Sequence, residues 1–92
     1  MLFHVRMTVD LPPSMPVDQA TQLKADEKAL AQRLQDEGKW RHLWRIAGQY
    51  ANVSIFDVGS VDELHTLLTS LPLFPYMEIS VVPLAKHPSD VK

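Results

Sequence analysis

From Asp18 to about Glu37 the sequence is rich in Ala, Leu, Lys, Gln and Glu and contains neither glycine nor proline, so it reads as one long helix that Gly38 ends. A helix buries its apolar stripe only against another layer, and the flanking segments supply that layer as strands. Before the helix, Phe3, Val5, Met7 and Val9 alternate with His4, Arg6, Thr8 and Asp10, the period-2 pattern of a strand with two chemically different faces. Pro12, Pro13 and Pro16 make an extended connection, and Asp18 stands where an N-cap is expected. After the helix, Trp40–Ala47 and Tyr50–Val58 form two β-rich runs separated by Gly48-Gln49, which predicts a hairpin.

Ser60-Val61-Asp62-Glu63 has the form of a capping box, and Leu64, Leu67, Leu68 and Leu71 follow at helical spacing until Pro72. Tyr76–Val82 reads as a last strand, followed by a polar tail. The order is β-α-β-β-α-β in a single domain spanning residues 1–92. This is the ferredoxin-like α+β plan: a four-stranded antiparallel sheet with both helices on one face. The strands carry apolar side chains on both faces, with Trp40, Trp44 and Ile46 against Leu43 and Ala47, so the uncovered sheet face is expected to pair with another subunit.

Composition excludes several classes of chemistry. With no cysteine among 92 residues there is no disulfide, thiolate metal site or cysteine nucleophile, and a net charge of -2 provides no phosphate-binding field for nucleic acid. No apolar run reaches the roughly 18 residues of a membrane span, so a soluble, cytoplasmic protein is expected. His4, His42, His65 and His87 fall on four different segments without metal-ligand spacing, and no glycine-rich phosphate loop or GxSxG elbow is present. The RNP1 pattern of RNA-binding modules is absent from YANVSIFDV. No metal or other cofactor is therefore expected.

Two places break the local pattern. In the long helix, Ala20, Leu23, Leu30 and Leu34 step by three and four residues, and the position completing the series is Glu27. Burying an isolated carboxylate costs several kcal/mol, so the site must supply a partner, water or a raised pKa, and these are also what a catalytic base needs. The alternative is a Glu27 at the stripe's edge, reaching solvent. Lys24, three residues earlier, is its natural helix neighbour.

The other irregular place is the hairpin, where WRHLWR packs two arginines, a histidine and two tryptophans, and YANVS adds a phenol, an amide and a hydroxyl. Arg41, Leu43 and Arg45 share one face of a regular strand and Trp40, His42 and Trp44 the other. Arg45 and His42 then reach one cavity only through a bulge or between subunits. The alternative makes the tryptophans interface packing and the arginines surface or intersubunit ion pairs.

MLFHVRMTV, ATQLKADEKALAQRLQ, GKWRHLWRIAGQYANVSIFDV and LPLFPYM, taken together, resemble the muconolactone Δ-isomerase family over nearly the whole chain. The resemblance implies a cofactor-free isomerase whose subunits pair through their sheets and assemble into a homo-decamer. It also implies a small lactone as substrate: (S)-muconolactone becomes 3-oxoadipate enol-lactone by a 1,3-proton shift, in the catechol branch of the β-ketoadipate pathway. Such a reaction needs a positioned base, an electrophilic contact to the developing oxyanion and a cation for the substrate carboxylate. Glu27 is the expected proton shuttle, and Lys24 a catalytic cation for the oxyanion or the carboxylate. Arg45 is the expected carboxylate clamp, with Tyr50, Asn52, Ser54 and His42 as hydrogen-bonding groups for the lactone. Two other functions compete: dehalogenation of 5-chloromuconolactone by a close relative, and a non-catalytic ligand-binding or assembly module of the same fold.

Overall fold

The computed structural model describes residues 1–91. Strand β1 (Leu2–Val9) is followed by helix α1 (Val17–Asp36), strands β2 (Trp40–Arg45) and β3 (Ala51–Asp57), helix α2 (Val61–Thr69), a single 3-10 turn (Phe74–Tyr76) and strand β4 (Met77–Leu84). The strands form one antiparallel sheet in the order β2-β3-β1-β4. The ferredoxin-like arrangement expected from the element order is thus the one observed. No helix among the described residues is long and apolar enough to cross a membrane.

The helix ends follow from local chemistry. At the C-terminus of α1, Gly38 adopts φ +78°, its N–H donates to the Gln35 carbonyl and the Lys39 N–H donates to the Leu34 carbonyl, both at 3.0 Å. This pair of bonds is a Schellman motif, and the left-handed φ it requires is open to glycine at no steric cost. At the N-terminus the observed N-cap is Pro16, with no side-chain cap. Asp18 therefore does not cap the helix as expected; it lies in the first turn, where its charge complements the positive end of the helix dipole. In α2 the expected cap forms with one bond displaced: Ser60 Oγ accepts the Glu63 N–H at 3.0 Å, whereas Glu63 Oε1 accepts the N–H of Gly59, one residue before the N-cap, at 2.8 Å.

Both hairpin strands are shorter than the β-rich runs suggest. The Gln49 N–H closes a turn on the Ile46 carbonyl at 3.1 Å, and Gly48 takes φ +79° within it, so β2 ends at Arg45 and β3 begins at Ala51. Tyr76 likewise belongs to the 3-10 turn and not to the last strand, because its N–H bonds back to the Leu73 carbonyl at 2.9 Å. Strand β4 runs on through Pro83, which an edge strand tolerates.

The core lies between the helices and one sheet face. Phe3, Val5 and Met7 of β1, Phe56 of β3 and Trp40 of β2 pack there against Ala31, Leu34, Leu64, Leu68 and Leu71. Trp40 belongs to this set through a bulge: the β2–β3 register pairs Trp40 with Phe56 but His42 with Ile55, so Arg41 is extra. Strict alternation would put Trp40 on the same face as His42 and Trp44. The bulge corrects that expectation, turning Trp40 onto the core with its ring 4.7 Å from that of Phe56.

Candidate active site

One end of the layer between α1 and the sheet remains open as a cleft of about 640 Å³. Helix α1 contributes Lys24, Glu27, Lys28, Ala31, Gln32 and Gln35, and the opposite wall is Trp40, Leu43, Arg45, Tyr50 and Asn52. Leu73 and Met77 close the side toward β4. The bulge decides the second wall as well, because after Arg41 the alternation restarts with Leu43 and Arg45 pointing the same way as Trp40.

Glu27 is half-buried in this cleft, at the place in the apolar stripe of α1 where the periodicity calls for a hydrophobic residue. Its Oε1 accepts the backbone N–H of Leu73 at 3.0 Å, while Oε2 has no partner among the described residues. Burial pushes the carboxyl above its ordinary pKa, opposed by the stabilising Leu73 N–H, with burial the larger effect. One oxygen is therefore anchored and the other is free to exchange a proton.

Three cations share the cleft with this single carboxylate: Lys24, Lys28 and Arg45. None of them has a carboxylate partner among the described residues, in contrast to Arg33, Lys39 and Arg41, which are paired elsewhere on the surface. Tyr50 organises two of them, since Lys24 Nζ lies 5.3 Å and Arg45 Cζ 5.2 Å from its ring centre. An aromatic face orients a cation without neutralising it, so both charges stay available to an anionic ligand. Arg45 is further held by a long contact from Nη1 to the Gln49 carbonyl at 3.5 Å.

Of the seven site residues expected from sequence, Lys24, Glu27, Arg45, Tyr50 and Asn52 come together in the cleft. Ser54 is fully buried behind Asn52 and donates from Oγ to Asn52 Oδ1 at 2.8 Å. It does not line the cleft, because its cross-strand neighbours Val5 and Leu43 enclose it. His42 lies away from the cleft: it pairs with Ile55 and stacks on Trp44, rings 5.0 Å apart and 4° from parallel, on the face of the sheet that no helix covers. A lactone contact from His42 within one subunit is thereby corrected: the β2–β3 register is regular from His42 to Arg45, so alternation keeps His42 on the face opposite Leu43 and Arg45, and the bulge at Arg41 moves only Trp40 to the cleft side. Lys28, Gln32, Gln35, Leu43, Leu73 and Met77 line the cleft without having been singled out from sequence. For the helical residues the signal was available, as Lys28 and Ala31 follow Lys24 and Glu27 at steps of four. For Leu73 and Met77 the placement is long-range.

Trp40 has the one buried side-chain nitrogen or oxygen without a hydrogen-bond partner among the described residues, its indole Nε1. No three His, Asp or Glu side chains converge as a metal site among those residues either.

Comparison with known proteins matches this architecture along the whole chain. The family model described as muconolactone delta-isomerase matches residues 1–90. The Muconolactone Delta-isomerase of Cupriavidus pinatubonensis is 66% identical over 92 residues, covering 100% of both chains. That of Acinetobacter baylyi is 64% identical over 92 residues, covering 100% of this chain and 96% of the relative. A crystal structure of muconolactone isomerase superposes with a TM-score of 0.96 at 67% identity, covering 100% of this chain and 96% of that one. At this identity, with cleft and fold carried by the same matched residues, the chain belongs to the muconolactone Δ-isomerase family.

Proposed function

We propose that this chain is a cytoplasmic catabolic isomerase that converts (S)-muconolactone to 3-oxoadipate enol-lactone without a cofactor, working as a homo-oligomer. The observation that carries the reading is the half-buried Glu27, its pKa raised, facing three cations without carboxylate partners in one cleft. Muconolactone is an anion with an acidic ring C–H beside an unsaturated lactone. Glu27 takes the ring C4 proton, the electron pair moves through the ring toward the lactone carbonyl oxygen as a dienolate, and the proton returns at C2 as the double bond settles between C3 and C4. Atoms and electrons balance within the substrate, and one carboxylate serves both ends if they present the same face. Arg45 holds the substrate carboxylate, and Lys24, one turn from Glu27 on α1, stabilises the oxyanion. Trp40, Leu43, Leu73 and Met77 give the ring an apolar wall.

Self-association is supported by the uncovered sheet face. The register places Leu2, Val53, Ile55, Trp44, Val82 and Leu84 on it together, with Trp44 56% and Val82 51% exposed. A face this apolar gains by pairing with a second copy. The decamer implied by the family resemblance is one assembly compatible with such pairing.

The decisive experiment is an ultraviolet assay of muconolactone consumption by the purified protein, with no metal added. Turnover to the enol-lactone is the expected result, and no turnover by folded protein overturns the reading. 5-Chloromuconolactone assayed in parallel distinguishes an isomerase from an enzyme whose main reaction is loss of chloride.

A further inference from the structure

Ser54 has 0% exposure and is the one buried residue of polar type among the described residues, flanked across the sheet by Val5 and Leu43. Its hydroxyl has one acceptor among the described residues, Asn52 Oδ1 at 2.8 Å, two positions along the same face of β3. That bond determines which way the Asn52 amide is turned. If the amide were flipped, its NH2 group would donate to Oγ and the serine proton would be left buried with no acceptor, which is costly where water cannot reach. With Oδ1 engaged by Ser54, the Asn52 Nδ2 group has no partner among the described residues and is left to the cleft that Asn52 lines. Asn52 is also the cross-strand partner of Arg45 on the same wall.

We infer that Ser54 is a positioning residue, which locks the Asn52 amide so that its two N–H groups face the cleft as donors to the lactone carbonyl oxygen. The inference rests on the isomerase reading above and assigns the oxyanion a second contact, from the sheet, facing Lys24 on the helix. Donors held in place before charge develops stabilise the transition state more than donors that must reorient, so loss of the lock weakens catalysis through Asn52 alone.

The test is a double-mutant cycle in the full-length protein, with steady-state kinetics and thermal unfolding measured for each variant. Asn52→Ala is expected to lower kcat by roughly a hundred- to a thousandfold, the range set by removal of one oxyanion donor. Ser54→Ala is expected to lower kcat about fivefold with KM changed less than twofold, and to lower it no further when Asn52 is already alanine. Equal losses in both backgrounds, or no loss in kcat from Ser54→Ala alone, overturn the inference, since a purely structural serine would act independently of Asn52. Should Ser54→Ala fail to fold, the wild-type protein still decides: the Asn52 side-chain NH2 resonances shift on titration with a saturated, non-reacting lactone acid, and unmoved resonances overturn the assignment. Failure of the isomerase reading is separately visible, as absence of muconolactone turnover by the wild type.

Discussion

The Glu27 carboxylate accepts the backbone N–H of Leu73 at 3.0 Å, joining the middle of α1 to the loop before β4 across 46 positions of sequence. One side chain thus satisfies a buried loop and presents a base to the cleft. Glutamine has the same shape and an oxygen to accept the Leu73 N–H, but no basic oxygen. Glu27→Gln is therefore expected to fold normally by circular dichroism while kcat falls by about 10²- to 10⁴-fold, the usual contribution of a positioned proton-transfer group. Wild-type kcat in the folded variant would remove Glu27 from the chemistry.

The raised pKa of Glu27 has a definite consequence for stability. A carboxyl whose pKa is higher folded than unfolded binds its proton more tightly in the native state, so its contribution favours folding at pH below the ordinary carboxylate value and is lost as pH rises through the folded value. Glu27→Gln should accordingly melt at a higher temperature than wild type at neutral pH. The difference should shrink as the pH is lowered toward about 4. The acid limb of kcat/KM in the wild type is expected above the ordinary carboxylate range for the same reason, as read from a pH–rate profile.

Arg45 and Lys24 both flank the Tyr50 ring, at 5.2 and 5.3 Å, but from opposite walls of the cleft. Loss of a charge-assisted contact to the substrate carboxylate costs about 1.5–3 kcal/mol, so Arg45→Ala is expected to raise KM roughly ten- to a hundredfold with a smaller change in kcat. Lys24→Ala should act chiefly on kcat. Steady-state kinetics on both variants separates the roles, and identical profiles would show that they are not divided this way.

His42 and Trp44 stack on the sheet face away from the cleft. His42→Ala should leave kcat within about twofold. Trp44→Glu introduces a charge into the apolar face proposed for subunit pairing and should shift the protein toward monomer in sedimentation velocity, as a buried unpaired charge is costly. An unchanged sedimentation coefficient would move the subunit contact elsewhere.

Trp40 fills the core beside Phe56 yet leaves its indole N–H without a partner. Trp40→Ala is expected to cost about 3–5 kcal/mol. Trp40→Phe loses contact area but also relieves an unsatisfied donor, itself a cost of about 1–3 kcal/mol, so its net effect should be within about 1.5 kcal/mol. Urea unfolding of the two variants measures the contrast.

Much of this molecule is legible in one dimension. The alternation of Phe3 to Val9, the glycine- and proline-free run ended by Gly38 and the capping box at Ser60 are local patterns, and each produced the element it announces, because strand pleat, helix propensity and end capping act over a few residues. The interruption of the α1 stripe by Glu27 was equally visible. The family-wide match of residues 1–90 is also a property of the sequence. Asp18, by contrast, matched the cap pattern but fell inside the first turn, since Pro16 already starts the helix.

Only the tertiary structure decided which side chains meet. A single extra residue at Arg41 changes the phase of β2, which sends Trp40 inward with Leu43 and Arg45 and leaves His42 on the opposite face. That phase is set by pairing with β3, a partner lying beyond the turn, and no periodicity within β2 encodes it. The partner of Glu27 is likewise set by where the loop at Leu73 packs, and the burial of the Ser54 hydroxyl, bonded to Asn52, by the apolar neighbours across the sheet. Sequence determined the elements and the reactive residue types; the packing of one layer on another determined which of them share a cleft, because contacts distant in the chain are decided by register and burial, not by local preference.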